Sequence, residues 1–286
     1  MNQTQAQIER LLRRGREDPA WWVRTVLGDN PWSAQVDILE AVRDHKEVAV
    51  RSCHGVGKDW IAARTALWFL YNHRPSIVIT TGPTDRQVKG ILWKEIGIAH
   101  ARARWPLDGQ CLTQELKLDR DWWAWGFTAP HTDPERFQGF HESNVLVIID
   151  EASGVSSDIY LAIEGVLTSS NSRKLEIGNP TDSLSAFGES FKTPGVHKIA
   201  LAAWDTPNFT AFGITEEDLA HDTWQAKVTG ELPYPNLVTP EWAATRHKRW
   251  GPDSPHYVSR VKGGFPPSSP NALISLGLKS RHSSVP

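Results

Sequence analysis

Lys58 stands at the end of a glycine-bearing loop, a position from which a lysine can neutralise the outer phosphates of a nucleotide. The segment from Val48 to Asp59 runs from a buried-strand pattern through this loop into an apolar helix. Glycines let backbone N–H groups turn inward around a triphosphate, and the positive end of the helix dipole adds to the attraction. The segment therefore predicts a loop that binds the phosphates of ATP through Ser52, His54, Gly55, Val56, Gly57, Lys58 and Asp59.

Two positions depart from the usual phosphate-loop pattern, which begins with glycine and ends in Gly-Lys-Ser or Gly-Lys-Thr. Ser52 holds the first position, and Asp59 holds the last, where a hydroxyl normally binds Mg²⁺. A carboxylate repels the phosphates, but it is itself a good ligand for Mg²⁺. Asp59 is therefore a candidate metal ligand, and its presence bears on hydrolysis more than on nucleotide binding.

A second buried-strand pattern lies in Asn144–Ala152, and its aliphatic run ends in the acidic pair Asp150-Glu151. In parallel sheets the functional residues gather at the carboxyl ends of the strands. Asp150 is predicted to hold Mg²⁺, and Glu151 to orient and deprotonate the attacking water. The alternative is an ordinary buried strand followed by an acidic helix cap, and the presence of Lys58 upstream favours the catalytic interpretation.

Two amide side chains are predicted to complete the nucleotide site. Asn179 follows the strand pattern Arg173–Gly178, where it can sense the outermost phosphate or the attacking water. The alternative there is a polar turn that caps the strand. Gln35 lies ahead of the loop, where its amide can both donate to and accept from an adenine edge. The alternative for Gln35 is an exposed helical glutamine.

An arginine that stabilises charge on the leaving phosphate is common in nucleotide-driven ring motors. Arg51 is the first candidate, because it lies beside the loop in sequence. Arg86 and Arg136 are candidates for the same role offered by a neighbouring subunit.

These side chains need a scaffold that brings several strand ends together. Strand and helix patterns alternate over residues 48–200, which predicts an α/β fold with a mostly parallel sheet and helices on both faces. Residues 1–47 are predicted to be a helical lead-in, with Ser33 as a helix N-cap. Residues 201–266 are predicted to form a small subdomain, and the composition of residues 267–286, with many Ser and Pro, predicts a disordered tail.

The composition fits an enzyme module of 286 residues. A net charge of −2 means that any nucleic-acid contact must come from a local patch. No apolar run reaches membrane-spanning length and the N-terminus lacks a secretory pattern, so a cytoplasmic protein without a membrane partner is expected. Two cysteines argue against both a disulfide framework and a cysteine-based zinc site.

The motifs, in their order, resemble the ATPase domain of a tailed-bacteriophage terminase large subunit. They are Pro31–Gln35, Arg51–Lys58, Ile149–Val155 and Ile177–Thr181, and the resemblance extends over roughly residues 18–266. It implies a RecA-like P-loop ATPase that works as a homo-oligomeric ring on a viral portal protein, with a terminase small subunit. Such a motor translocates double-stranded DNA into a procapsid in the cytoplasm of the bacterial host cell.

The resemblance also implies roles for individual residues. Lys58 would be the phosphate lysine, Asp150 the magnesium-associated acid, Glu151 the catalytic base, Asn179 the coupling residue and Gln35 the adenine contact. Residues 201–266 would be the linker subdomain that closes over the nucleotide.

The C-terminal end departs from that family. Terminases of this kind continue into a metal-dependent nuclease domain, whereas this chain stops soon after Gly263–Pro267. Residues 268–286 contain no Asp or Glu, so they cannot supply a two-metal cleavage site, and nuclease activity is predicted to be absent.

Two other functions remain open from the sequence. One is a different nucleic-acid-dependent P-loop ATPase such as a helicase, although no second RecA-like domain fits after residue 200. The other is a vestigial, non-hydrolysing nucleotide-binding protein, which Asp59 would explain.

Overall fold

A computed structural model describes residues 3–128 and 142–267 of the chain. In these ranges one sheet contains eight strands in the order β3-β4-β5-β2-β6-β7-β1-β8. Arg136 and nearly all of the predicted tail lie outside the described residues. The strands are β1 (Glu47–Ser52), β2 (Ile77–Gly82), β3 (Gln110–Cys111), β4 (Glu115–Lys117), β5 (Trp123–Thr128), β6 (Asn144–Asp150), β7 (Asn171–Gly178) and β8 (His197–Leu201).

Six neighbouring strands of this sheet, from β5 to β8 in spatial order, are parallel. The short β3 and β4 extend the β5 edge in antiparallel pairing. The predicted mostly parallel sheet is therefore confirmed. Strands β6 and β7 lie beside each other and β1 lies next to β7, so their carboxyl ends share one edge.

Helices cover both faces of the sheet, as predicted. Successive residues of β6 divide between two apolar clusters: Leu146 and Ile148 join one, and Val145, Val147 and Ile149 join the other. This alternation follows from the two-residue period of a strand. The helices are α1 (Gln3–Glu17), α2 (Pro19–Trp22), α3 (Ser33–Asp44), α4 (Lys58–Asn72), α5 (Asp85–Gln87), α6 (Trp93–Ala101), α7 (Ser157–Val166), α8 (Ala186–Ser190), α9 (Pro207–Thr210), α10 (Glu216–Ala220), α11 (Trp224–Lys227), α12 (Pro240–Trp250) and α13 (Pro255–Arg260).

The lead-in before β1 is helical, as predicted, and α2 continues into a π-helical turn at Val23–Leu27. One detail is wrong: Ser33 is the first residue of α3, and Trp32 holds the N-cap position. The reason is that the Trp32 carbonyl accepts the first helical hydrogen bond, from the Val36 N–H at 3.0 Å. The Gln35 side chain in turn accepts the Trp32 N–H at 3.2 Å.

The segment after β8 packs on the same apolar cluster as the helices that precede β1. Phe209, Leu219, Ala243 and Tyr257 are buried in that cluster together with Leu39 of α3. The segment is thus held against the end of the sheet where β1 lies. In the described part of the chain, no helix is long and apolar enough to cross a membrane.

Candidate nucleotide-binding site

The loop between β1 and α4 has the open conformation that phosphate binding needs. Gly55 and Gly57 have φ angles of +70° and +77°, in the left-handed region where a side chain is strained. Among the described residues, no group accepts a hydrogen bond from the N–H of Gly55, Val56 or Gly57. These donors, together with the N–H groups in the first turn of α4, are thus available to an anion.

Neighbouring segments hold the loop at several points. The N–H of Cys53 donates to the carbonyl of Leu201 at 2.8 Å, and the N–H of His54 donates to the carbonyl of Arg260 at 2.9 Å. The N–H of Val238 donates to the carbonyl of Gly55 at 2.8 Å. All three contacts come from the end of β8 or from residues after it, so the C-terminal segment helps to fix the phosphate loop.

Gln35, which precedes the loop in sequence, is buried against it. Its Nε2 lies 3.4 Å from the carbonyl of Val56 and 3.3 Å from that of Gly57, while its Oε1 caps α3. The side chain is 5% exposed, so the alternative of an exposed helical glutamine is wrong. A contact between Gln35 and adenine stays a prediction. The adenine would have to share the Gln35 amide with the loop carbonyls of Val56 and Gly57.

Lys58 lies in a group of carboxylates at the start of α4. Its Nζ is 2.9 Å from Glu151 Oε1 and 3.6 Å from Asp59 Oδ2. Burial opposes the charge on the amine, but the nearby carboxylates, first Glu151, outweigh it and raise the pKa of Lys58 above its ordinary value. Lys58 is therefore a permanent cation, and it is paired with the predicted catalytic base.

Asp150 is almost completely buried at the end of β6. Its Oδ1 accepts the N–H of Glu151 at 2.9 Å, and its buried Oδ2 has no partner among the described residues. Burial and then the neighbouring Asp59 raise the pKa of the Asp150 carboxyl well above its usual range. Two carboxyl groups thus share a small space beside Lys58, an arrangement that a divalent cation would relieve.

Glu151 has an unusual backbone for a residue other than glycine, with φ 48° and ψ 46°. It precedes the 3₁₀ turn Ala152–Gly154, but its side chain makes no capping hydrogen bond there. Glu151 thus holds the N-cap position of that turn without a side-chain cap, and its role as catalytic base stays a prediction. The left-handed conformation of Glu151 costs about 1–3 kcal/mol. The strained residue is the same one whose carboxylate pairs with Lys58.

Asn179 joins the end of β7 to the phosphate loop. Its Nδ2 donates to the carbonyl of Ser52 at 2.6 Å, and its own carbonyl accepts from Ser153 Oγ at 2.7 Å. The side chain is 5% exposed, so it is a buried bridge between the ends of β7 and β1 rather than a solvated turn. The hydroxyl of Ser52 is buried and has no partner among the described residues.

A cavity of about 270 Å³ opens beside Glu151 and Asn179. His54 lines it from the loop, and burial, with the charges of Lys58 and Arg260, lowers the pKa of that imidazole, which is therefore neutral at neutral pH. The remaining lining residues come from four other parts of the chain: Pro83, Gln87, Ser153, Gly154, Thr181 and Arg260. Arg260 was missed by the sequence analysis, because no local pattern connects it with the loop.

Arg51 does not join this group. Its Nη1 donates to the carbonyl of Gly263 at 2.9 Å, and its guanidinium lies 5.6 Å and 5.9 Å from the ring centroids of Phe191 and Phe265. Phe191 and Phe265 pack against the apolar cluster that contains Ala49, whereas α4 packs on the other cluster. A contact between Arg51 and the leaving phosphate stays a prediction, and none of its described contacts is with Lys58 or Glu151.

Comparison with known proteins gives one curated relative, although no family model matches the sequence. The chain is 26% identical over 281 residues to a "Probable terminase, large subunit" of Enterobacteria phage P7, and the alignment covers 90% of this chain. The chain resembles a phage terminase large subunit. The resemblance found in its motifs is thus confirmed. The chain spans about half the length of that relative, because the alignment covers 53% of it.

Solved structures agree on the fold. A mutant of the large terminase ATPase domain of Thermus phage P74-26 superposes with a TM-score of 0.57 at 18% identity, over 84% of this chain and 96% of that one. The large terminase of a thermophilic bacteriophage, in complex with ADP, gives a TM-score of 0.50 at 11% identity, over 70% of this chain and 51% of that one. The predicted RecA-like fold is therefore confirmed, while the roles of individual residues stay predictions.

Proposed function

We propose that this chain is the ATP-hydrolysing motor module of a terminase-like DNA-packaging machine. The observation that supports this most directly is the group of Lys58, Glu151 and Asp150 at the mouth of a glycine loop, on the fold of a terminase ATPase domain. A half-buried cation suits a triphosphate when it lies beside N–H donors that have no acceptor among the described residues, and an acid next to it suits activation of water.

In this proposal the loop N–H groups and Lys58 hold the β- and γ-phosphates of ATP. Before the phosphates can take Lys58, its 2.9 Å ion pair with Glu151 has to open. Opening frees the Glu151 carboxylate to accept a proton from a water molecule that attacks the γ-phosphate. Asn179 bridges the ends of β7 and β1 beside that phosphate, so loss of the γ-phosphate can shift both strand ends.

The acidic residues around Lys58 also fit Mg²⁺. The unpartnered, buried Oδ2 of Asp150 and the neighbouring carboxylate of Asp59 are oxygen donors, which is the ligand type that Mg²⁺ prefers. When bound, Mg²⁺ would neutralise charge that develops on the phosphate oxygens. Among the described residues there is no group of three or more His, Cys, Asp and Glu side chains that could hold a metal, so phosphate and water oxygens would complete the shell.

The resemblance to terminases supports a proposal for the wider assembly. We propose double-stranded DNA as the transported substrate, a homo-oligomeric ring as the working state, and a portal protein and a small subunit as partners, in the cytoplasm of a bacterial host cell. Within the chain, residues 1–47 act as a lead-in, 48–200 as the ATPase core and 201–266 as a lid. The three loop contacts made by Leu201, Val238 and Arg260 support the lid assignment.

A second candidate function is nucleotide binding without hydrolysis. Asp59 favours it, because this residue puts a carboxylate where a hydroxyl usually meets Mg²⁺ and lies 3.6 Å from the Lys58 amine. In that case the loop would hold a nucleotide and the ring would be moved by other subunits.

Steady-state ATP hydrolysis with Mg²⁺, with and without double-stranded DNA, tests both candidates. The motor proposal predicts turnover that DNA stimulates and that Lys58→Ala abolishes. Binding of ATP without turnover, under both conditions, would support the second candidate. Turnover that survives Lys58→Ala would contradict the site itself, because no other lysine lies in the described loop.

A further inference from the structure

Arg260 lines the cavity beside the predicted catalytic base, and its positive charge is close enough to His54 of the same lining to lower the pKa of that imidazole. It lines this cavity of about 270 Å³ together with Glu151, Asn179 and Thr181. His54, the other basic residue of the described lining, is neutral at neutral pH because its pKa is lowered. Arg260 is therefore the one permanent cation in that described lining.

The guanidinium of Arg260 lacks an acidic partner in the part of the chain that the structure describes. Among the described residues, its side chain makes neither an ion pair nor a hydrogen bond. Arg64 illustrates the contrast, because its guanidinium is held by Asp29 at 2.8 Å and Glu95 at 2.9 Å. Arg51 is likewise engaged, with the carbonyl of Gly263. A half-buried arginine without an acidic partner, at the wall of a polar cavity, is available to a phosphate.

The backbone of Arg260 is fixed, whereas its side chain has no hydrogen-bonding or ionic partner in residues 3–128 and 142–267. Its carbonyl accepts the N–H of His54 at 2.9 Å, so the end of α13 is attached directly to the phosphate loop. The next residue, Val261, is buried, and its carbonyl accepts the N–H of Ala203 at 2.9 Å. The position of the Arg260 Cα relative to the loop is thus set by the main chain, and truncation of the side chain leaves these bonds in place.

We propose that Arg260 contacts the terminal phosphate of ATP from within the same subunit, and that the C-terminal segment distinguishes ATP from ADP through this contact. The inference rests on the proposed function, because it requires a nucleotide in the loop. A favourable charge at the C-terminal end of α13 is the purely structural alternative for Arg260. That alternative predicts no preference between the two nucleotides.

Isothermal titration calorimetry with ATP-γ-S and with ADP, both with Mg²⁺, separates these possibilities. In Arg260→Ala we expect a loss of about 10- to 100-fold in affinity for ATP-γ-S, the range for a charged hydrogen bond, and a change of less than about twofold for ADP. The affinity of Arg260→Lys for ATP-γ-S should lie between that of the wild type and that of Arg260→Ala, because lysine keeps the charge and loses the planar fork. Arg249→Ala, an exposed arginine on α12, is the matched control and should bind both nucleotides like the wild type.

Equal losses for ATP-γ-S and ADP in Arg260→Ala would assign the residue a structural role and overturn the inference. No loss for either nucleotide would overturn it as well, while leaving the proposed function intact. A wild-type protein that binds neither nucleotide would overturn the proposed function, and the inference with it. Thermal unfolding of each variant shows whether the fold is kept.

Discussion

Replacing Glu151 by glutamine should separate nucleotide binding from hydrolysis. The carboxylate of Glu151 lies 2.9 Å from Lys58 Nζ, with side-chain exposures of 28% for Glu151 and 13% for Lys58. Glutamine keeps the size of the side chain and removes its charge. The left-handed backbone at this position is equally strained for both residues, so the substitution tests the carboxylate alone.

The magnitudes follow from the charges that remain. Lys58 keeps Asp59 at 3.6 Å and Asp150 nearby, so its amine is not left unpaired. A partly exposed pair contributes up to about 1 kcal/mol, so the free energy of unfolding should change by no more than that. Because the phosphates no longer compete with Glu151, ATP should bind up to about fivefold more tightly. Turnover should fall by about 10²- to 10⁴-fold, the usual contribution of a general base.

Single-turnover hydrolysis and equilibrium binding of ATP, both with Mg²⁺, measure the two effects. Glu164→Gln is the matched control, because Glu164 also pairs with a buried lysine, Lys174, at 3.2 Å, and neither residue lines the cavity. The control should hydrolyse ATP like the wild type. If Glu151→Gln turns over ATP within about threefold of the wild type, Glu151 is not the base. If it binds ATP more weakly, the ion pair with Lys58 does not compete with the phosphates.

Three further predictions concern the loop and the core. Asp59→Thr should raise kcat/KM for ATP roughly tenfold, because a like charge beside the phosphates is replaced by a hydroxyl ligand, and steady-state kinetics that show no rise would contradict this. Gly57→Ala should lower the free energy of unfolding by about 1–3 kcal/mol in denaturant titrations. The causes are the φ of +77° at Gly57 and a Cβ that would lie 2.7 Å from Gln35 Nε2. Gly195→Ala is the control: Gly195 has a φ of +86° and open space around it, so this variant should show the smaller cost of backbone strain alone. Burial lowers the pKa of His73 from its ordinary 6.5 to about 4, so the unfolded chain takes up a proton first as the pH falls. The unfolding temperature should therefore decrease as the pH is lowered from 6.5 to 4, and His73→Phe should reduce this decrease. An equal decrease in both proteins would show that other groups cause it.

Residues in the phosphate loop and the strand ends were predictable because they are specified by local pattern. A strand, two glycines, a lysine and an apolar helix occupy one stretch of chain, and the positive φ angles of Gly55 and Gly57 follow from that motif. The aliphatic pattern before Asp150 is long enough to indicate a central parallel strand, and β6 lies there. Parallel strands put their carboxyl ends at one edge, which is why Lys58 and Glu151 meet in the structure.

The tertiary structure alone decided how the distant segments meet that edge. Arg51 is next to the loop in sequence, but side chains alternate along a strand, and this one points to Gly263 and two phenylalanine rings. Arg260 is far from the loop in sequence, yet its carbonyl accepts the N–H of His54 and the residue lines the cavity. Gln35 is buried against the loop because α3 packs beside it. These contacts depend on how helices stack around the sheet, and no periodicity within a single segment records that packing.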